Sequence, residues 1–150
     1  MFSKILYPTD FSEVAGKALA YIKKLREAGC GEVMILHVID EREIQGIVAW
    51  SSISGNWPVD LDSELKKREQ HHLAELKKIA RELEEGGCQV KAIVREGHPA
   101  QEILKLAEEE KADAIIIGSH GKSNLKEMLL GSVSESVIRK SPIPVLVIKR

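Results

Sequence analysis

Ala114-Ile115-Ile116-Ile117-Gly118-Ser119-His120-Gly121, followed after nine residues by Gly131-Ser132-Val133-Ser134, is the stretch on which the fold turns. An apolar β-type run ends in glycine. A loop then leads to a second apolar segment, Val133 to Ile138. A strand that ends in glycines and reaches a helix start through a loop is a phosphate-binding design. Glycines let the backbone approach an anion, and the helix start offers unpaired N–H groups and a positive dipole end. With 11 glycines in 150 residues, three at these offsets arise by chance about 0.05 times per chain, and about 0.005 times with Ser or Thr after the third. The plainer alternative is a glycine-rich connection with ordinary caps.

Outward from this stretch, strand and helix patterns alternate. Lys4 to Tyr7 is a short apolar strand, and Pro8-Thr9-Asp10 turns the chain. Ser12 is the expected N-cap of a helix whose Val14, Ala15, Ala18, Leu19, Ile22 and Leu25 recur at helical spacing, stopped by Gly29. Val33 to Ile39 is a second strand, continuously apolar except for His37, as a strand covered on both faces requires. Asp40 to Pro58 breaks the rhythm. It holds Trp50 and Trp57 and shows no clear period, so it is expected to be a functional or mobile excursion: a lid, a partner surface or a segment packed on the domain. A long charged helix follows over about Leu61 to Glu85, ended by Gly86-Gly87. Within it, His71-His72 is expected to be solvated. Gln89 to Val94 is a third strand, Pro99 begins a helix, Asp113 to Ile117 is a fourth strand, Val133 to Lys140 a fourth helix and Val145 to Ile148 a fifth strand.

The expected order is βαβαβαβαβ, with no internal repeat and no linker, so residues 1–150 read as one domain. Strands separated by helices imply parallel pairing, right-handed crossovers and helices on both faces: a doubly wound α/β sheet. Such sheets bind ligands beyond the carboxyl ends of the strands, where the strand order reverses.

Composition narrows the classes. The chain is 43% hydrophobic and 30% charged, yet its net charge is only −1. That balance argues against a polyanion-binding surface, so no nucleic-acid partner is expected. No apolar run reaches membrane-spanning length and the N-terminus lacks a signal-peptide core, so a soluble cytoplasmic protein without membrane association is expected. Cys30 and Cys88 form no CxxC pair, and no His/Cys cluster has zinc spacing. They read as two free thiols or, since both precede strands that would share one sheet edge, as a disulfide.

The motifs now resemble the universal stress protein family, of its ATP-binding type, over the whole length. Ile5 to Ser12 looks like that family's first strand and Pro-Thr-Asp turn, Leu36-His37-Val38 like its second strand end, and Gly97-His98-Pro99-Ala100 like its third strand–helix junction. Gly118-Ser119-His120-Gly121 with Gly131-Ser132-Val133-Ser134 matches the G-x2-G-x9-G-[S/T] signature of its nucleotide-binding members. Pro142 to Ile148 looks like its closing strand. The resemblance implies a five-stranded sheet of order 3-2-1-4-5, Rossmann-like in the manner of adenine nucleotide alpha hydrolases. Strands 1 and 4 then meet at the switch point, bringing Pro8-Thr9-Asp10 and the glycine loop to one crevice.

The resemblance also implies roles. Asp10 contacts the nucleoside, where the plain reading is a turn or cap Asp. Pro8 and Thr9 shape the adenine wall, and the Val38 backbone reads the adenine edge. Gly118, Gly121 and Gly131 admit ribose and phosphates. Ser132 and Ser134 add donors beside the phosphates, Ser132 also reading as an N-cap. Ser119, His120 and Val133 complete the expected contact set, with His120 and Lys122 also readable as a solvated loop. No protein metal ligand is singled out; Mg²⁺ or Mn²⁺ would travel on the phosphates. Homodimerisation is implied through Val145 to Ile148, an apolar strand at a sheet edge.

Gly121-Lys122-Ser123 is not a Walker A loop, because Ile116 stands where that loop needs glycine, and no Gly-x-Ser-x-Gly elbow occurs. No general base aimed at a γ-phosphate stands out. The leading expectation is an ATP-binding regulatory protein of the stress response with slow or no hydrolysis, acting on an unknown downstream protein. The alternatives are a partner-activated or adenylating enzyme, and an interaction module that binds no nucleotide.

Overall fold

The computed structural model describes residues 2–58, 60–120 and 130–149. The elements run β1 (Lys4–Pro8), α1 (Glu13–Glu27), β2 (Glu32–Asp40), α2 (Glu41–Ser54), α3 (Leu61–Glu85), β3 (Gln89–Gly97), α4 (Pro99–Glu109), β4 (Ala114–Gly118), α5 (Ser132–Lys140) and β5 (Val145–Ile148). The five strands form one parallel sheet of order β3-β2-β1-β4-β5, the expected Rossmann-like topology.

Alternation along the strands divides the core into two layers. Ile5, Tyr7, Val33 and Ile35 face one layer with Ala18 and Ile22 of α1 and Leu76, Ala80 and Leu83 of α3. Leu6, Met34, Leu36, Ile115 and Ile117 face the other with Ile103 and Leu106 of α4 and Val137 of α5. Both faces of β1, β2 and β4 are therefore dry, which explains their unbroken apolar runs.

The segment expected to be an irregular excursion contains helix α2, so two helices rather than one separate β2 from β3. Asp40 caps α2 by accepting from the Arg42 N–H, and Gly55 ends it at φ 77°. Ile44, Ile47 and Val48 are half-buried, whereas Trp50 and Ile53 remain 69% and 81% exposed. Apolar residues on both faces erase the period that marks an amphipathic helix. Strand β3 also runs three residues further than its apolar pattern, because Arg95, Glu96 and Gly97 continue to pair with Val38, Ile39 and Asp40.

Other local signals translate directly. Ser12 accepts from the Ala15 N–H at the start of α1. Gly87 adopts φ 85°, a conformation that favours glycine; the atoms a Cβ would meet are the movable guanidinium of Arg26. Cys30 and Cys88 are buried free thiols at the start of β2 and β3.

Candidate nucleotide site

A cleft of about 280 Å³ opens beyond the carboxyl ends of β1, β2 and β4, at the low end of ligand-pocket volumes. The β1 end contributes Pro8, Thr9 and Asp10; β2 contributes Leu36, His37, Val38 and Asp40; β4 contributes Ile117 and Gly118. The start of α5 adds Gly131, Ser132, Val133 and Ser134, and His120 stands between. Pro99 and Ile103 of α4 close the apolar side. The two segments singled out in the sequence thus meet across the β1–β4 boundary, where the strand order reverses.

Hydrogen bonds hold the β1 turn on every side. The Thr9 N–H donates to the Leu36 carbonyl at 2.8 Å, and its hydroxyl accepts from the Phe11 N–H at 3.1 Å. Its carbonyl lies 2.9 Å from His37 Nδ1, and since a carbonyl only accepts, that nitrogen carries the proton. Asp10 Oδ1 accepts from the Ser12 N–H at 2.9 Å, so the turn role coexists with a carboxylate on the cleft wall. Beneath the turn, the Tyr7 hydroxyl donates to the Ala15 carbonyl, and burial pushes its pKa up to about 12.

The glycine loop is anchored at its stem. The Ser119 N–H donates to the Ile148 carbonyl at 2.8 Å, extending the β4–β5 ladder. Ser119 is fully buried and does not line the cleft; its hydroxyl lies 2.7 Å from His120 Nδ1. Ser134 lines the cleft, but its hydroxyl sits 2.9 Å from both the Ser119 and Gly131 carbonyls and braces the loop. Gly131, rather than Ser132, is the N-cap of α5, with no side-chain cap bond. Its φ of −76° is open to any residue, so what glycine supplies there is the absence of a side chain at the cleft. Gly118 is tightly packed: a Cβ would lie 3.2 Å from Val14 Cγ1, which would have to give by a few tenths of an ångström. Gly121 and Lys122 lie outside the described residues.

Several lining residues were not foreseen. Arg42 Nε lies 3.1 Å from both carboxylate oxygens of Asp40, and Nη2 lies 2.6 Å from Oδ2. This guanidinium holds the Asp40 carboxyl below its ordinary range, and the carboxylate in turn raises Arg42. With Glu43, the pair adds charge to a lining that also holds Asp10, His37 and His120. The usable signal was position, since Asp40 closes a strand at the carboxyl edge of the sheet. His37 was visible as the polar break in β2 and within the Leu36-His37-Val38 motif, with no site role assigned; it is buried and belongs to the cleft wall. His72, expected to be solvated, is half-buried, with its ring 4.1 Å from that of His37. Among the described residues no group of three or more His, Cys, Asp or Glu is placed to hold a metal ion, and no helix is long and apolar enough to cross a membrane.

The sequence profile described as the universal stress protein family matches residues 1–149. Universal stress protein MJ0577 of Methanocaldococcus jannaschii is 50% identical over 156 residues, covering 100% of this chain and 96% of that protein. A solved structure of MJ0577 superposes with a TM-score of 0.83 at 48% identity, covering 100% of this chain and 97% of the other. Two more distant structures share the fold. One is a universal stress protein in complex with cAMP, with a TM-score of 0.65 at 21% identity over 99% of this chain and 97% of that one. The other is a universal stress protein family protein of Arabidopsis thaliana with AMP bound, with a TM-score of 0.64 at 16% identity over 99% of this chain and 92% of that one.

Proposed function

The chain belongs to the universal stress protein family, and from that premise we propose that it is an ATP-binding regulatory protein whose cleft takes an adenine nucleotide. The observation that carries this reading is the meeting of the Pro8-Thr9-Asp10 turn and the Gly118/Gly131 loop stems across one cleft. The base lies against Val38, Ile103 and Pro99, with its edge near the β2 backbone. Asp10 accepts from ribose hydroxyls. The phosphates approach the N-terminus of α5, where Gly131 leaves the first turn uncovered and the dipole favours negative charge. Mg²⁺ or Mn²⁺ is held mainly by the phosphates. The AMP and cAMP bound in the two distant relatives support the ligand class.

Turnover is proposed to be slow or absent, below about 1 per second. The protein acts in the cytoplasm as one domain spanning residues 1–150, and its ligand state is read by a downstream protein. A second copy pairs along β5. The Pro144 and Ile148 carbonyls accept from Ile115 of β4 and from Ser119 just beyond it, so the intervening Val145 and Val147 direct their own N–H groups to the open edge.

The test is calorimetric titration of nucleotide-stripped protein with ATP and Mg²⁺, beside the double variant Gly131→Val/Ser132→Val. Micromolar binding lost in the variant supports the reading. No binding by the parent protein removes it and leaves an interaction module.

A further inference from the structure

The turn that walls the cleft is strained, and a stack of three rings, of which His37 alone reaches the cleft lining, lies against it. Phe11, directly after Asp10, adopts φ 64°, the left-handed region that a bulky L-residue avoids. Left-handed non-glycine residues persist only where their surroundings over-determine them. Those surroundings include, beside the core cluster on which Phe11 also packs, the rings of His37 from β2 and His72 from α3. The Phe11 ring lies 4.7 Å from His37 and 5.6 Å from His72, nearly parallel to the latter, and the two imidazoles are 4.1 Å apart.

We propose that this stack is a brace that holds the Thr9–Asp10 turn in its ligand-ready conformation, making Phe11 and His72 positioning residues for a nucleotide that neither touches. The inference rests on the nucleotide reading above. Neither residue lines the cleft, whereas Thr9, Asp10 and His37 do. Two links join stack to turn. His37 Nδ1–H donates to the Thr9 carbonyl, so the ring that contacts Phe11 also fixes the peptide before Asp10. The Phe11 N–H donates to the Thr9 hydroxyl, and the Ser12 N–H to Asp10 Oδ1, so rotation of Phe11 out of the left-handed region displaces both bonds. Without its ring partners, Phe11 relaxes toward ordinary φ, and the Asp10 carboxylate leaves the cleft wall. His72 thereby ties the middle of α3 to ligand affinity.

Four variants separate conformation from bulk: His72→Ala, His72→Phe, Phe11→Ala and Phe11→Asn. Two readouts apply, the affinity for ATP with Mg²⁺ and, without nucleotide, hydrogen exchange at the Phe11 and Ser12 amides, both under conditions where the thermal midpoint confirms a folded protein. His72→Ala and Phe11→Ala are expected to weaken binding about five-fold or more and to accelerate exchange at both amides by a similar factor. His72→Phe retains the stacked ring and is expected to stay within about two-fold of the parent. Phe11→Asn loses the ring as fully as alanine does but accepts the left-handed region readily, so it is expected to bind more tightly than Phe11→Ala. A generic packing role predicts no such rescue. Unchanged exchange in His72→Ala, or equal losses in Phe11→Asn and Phe11→Ala, overturns the brace. A parent protein that binds no nucleotide removes the ligand reading, while the exchange result still decides whether the stack holds the turn.

Discussion

The Gly131 N–H donates to the Ser119 carbonyl at 2.6 Å, closing the loop between β4 and α5 at its stem. The distance between the two glycine signals in the sequence is thus spanned by one backbone bond, and the Ser134 hydroxyl buttresses the same carbonyl from the first turn of α5.

Removing that buttress tests its role. Ser134→Ala removes the one hydroxyl proton that the Ser119 and Gly131 carbonyls share, each keeping its backbone donor (the Gly131 and Glu135 N–H groups), and is expected to destabilise the fold by about 0.5–1.5 kcal/mol. Nucleotide affinity should fall as well, although the hydroxyl is engaged within the protein. Urea denaturation and ATP titration check the two effects. Weakened binding with unchanged stability would instead make Ser134 a direct phosphate donor.

Gly118 sits against α1. In Gly118→Val the Cβ meets Val14 Cγ1 at 3.2 Å and the Ala15 nitrogen at 3.4 Å, and the added methyls have backbone on one side. A loss of about 1–3 kcal/mol is expected from overpacking, together with loss of nucleotide binding. Unfolding curves that match the parent would show that α1 yields more easily than its contacts suggest.

The Asp40–Arg42 pair sets an acid limb. The carboxyl of Asp40 is held below its ordinary value of 3.8 by the Arg42 guanidinium. As pH falls, the unfolded chain takes up the proton first. The pair's contribution is therefore present above the ordinary carboxylate range and is lost as pH drops through the lowered value. Arg42→Ala is expected to flatten this limb, seen as a smaller difference between urea midpoints at about pH 5 and about pH 3. Arg42 is exposed, so the effect is small and should shrink further in high salt.

The open edge of β5 gives an assembly test. Val147 directs its N–H away from β4, so Val147→Pro spares the internal ladder and removes a donor from the edge. The variant is expected to sediment as a monomer where the parent sediments as a dimer. An unchanged profile points to another interface.

Burial raises both thiols, and at Cys30 the neighbouring Cys88 adds to the shift. Native protein should alkylate slowly near neutral pH, and denatured protein without reductant should titrate two thiols. A count of zero would reveal the disulfide that the sequence left open.

Read alone, the chain determined its strand alternation, the Ser12 cap, the glycine stops at Gly29 and Gly86-Gly87 and the glycine offsets of the loop. Each of these is a local signal: a continuous apolar run such as Val33 to Leu36, a hydroxyl such as Ser12 before a helical stripe, or a glycine where the backbone reverses. Helix α2 escaped because its apolar side chains do not share one face, so its burial left no period to read. The tertiary structure decided which distant residues meet. His37 and His72 lie 35 positions apart by number and touch because α3 packs over β2. Asp40 and Arg42 became part of the cleft wall because β2 ends beside β1. Ser119, expected in the ligand contact set, is buried and does not line the cleft. Periodicity records whether an element is covered; only strand order and register record what covers it.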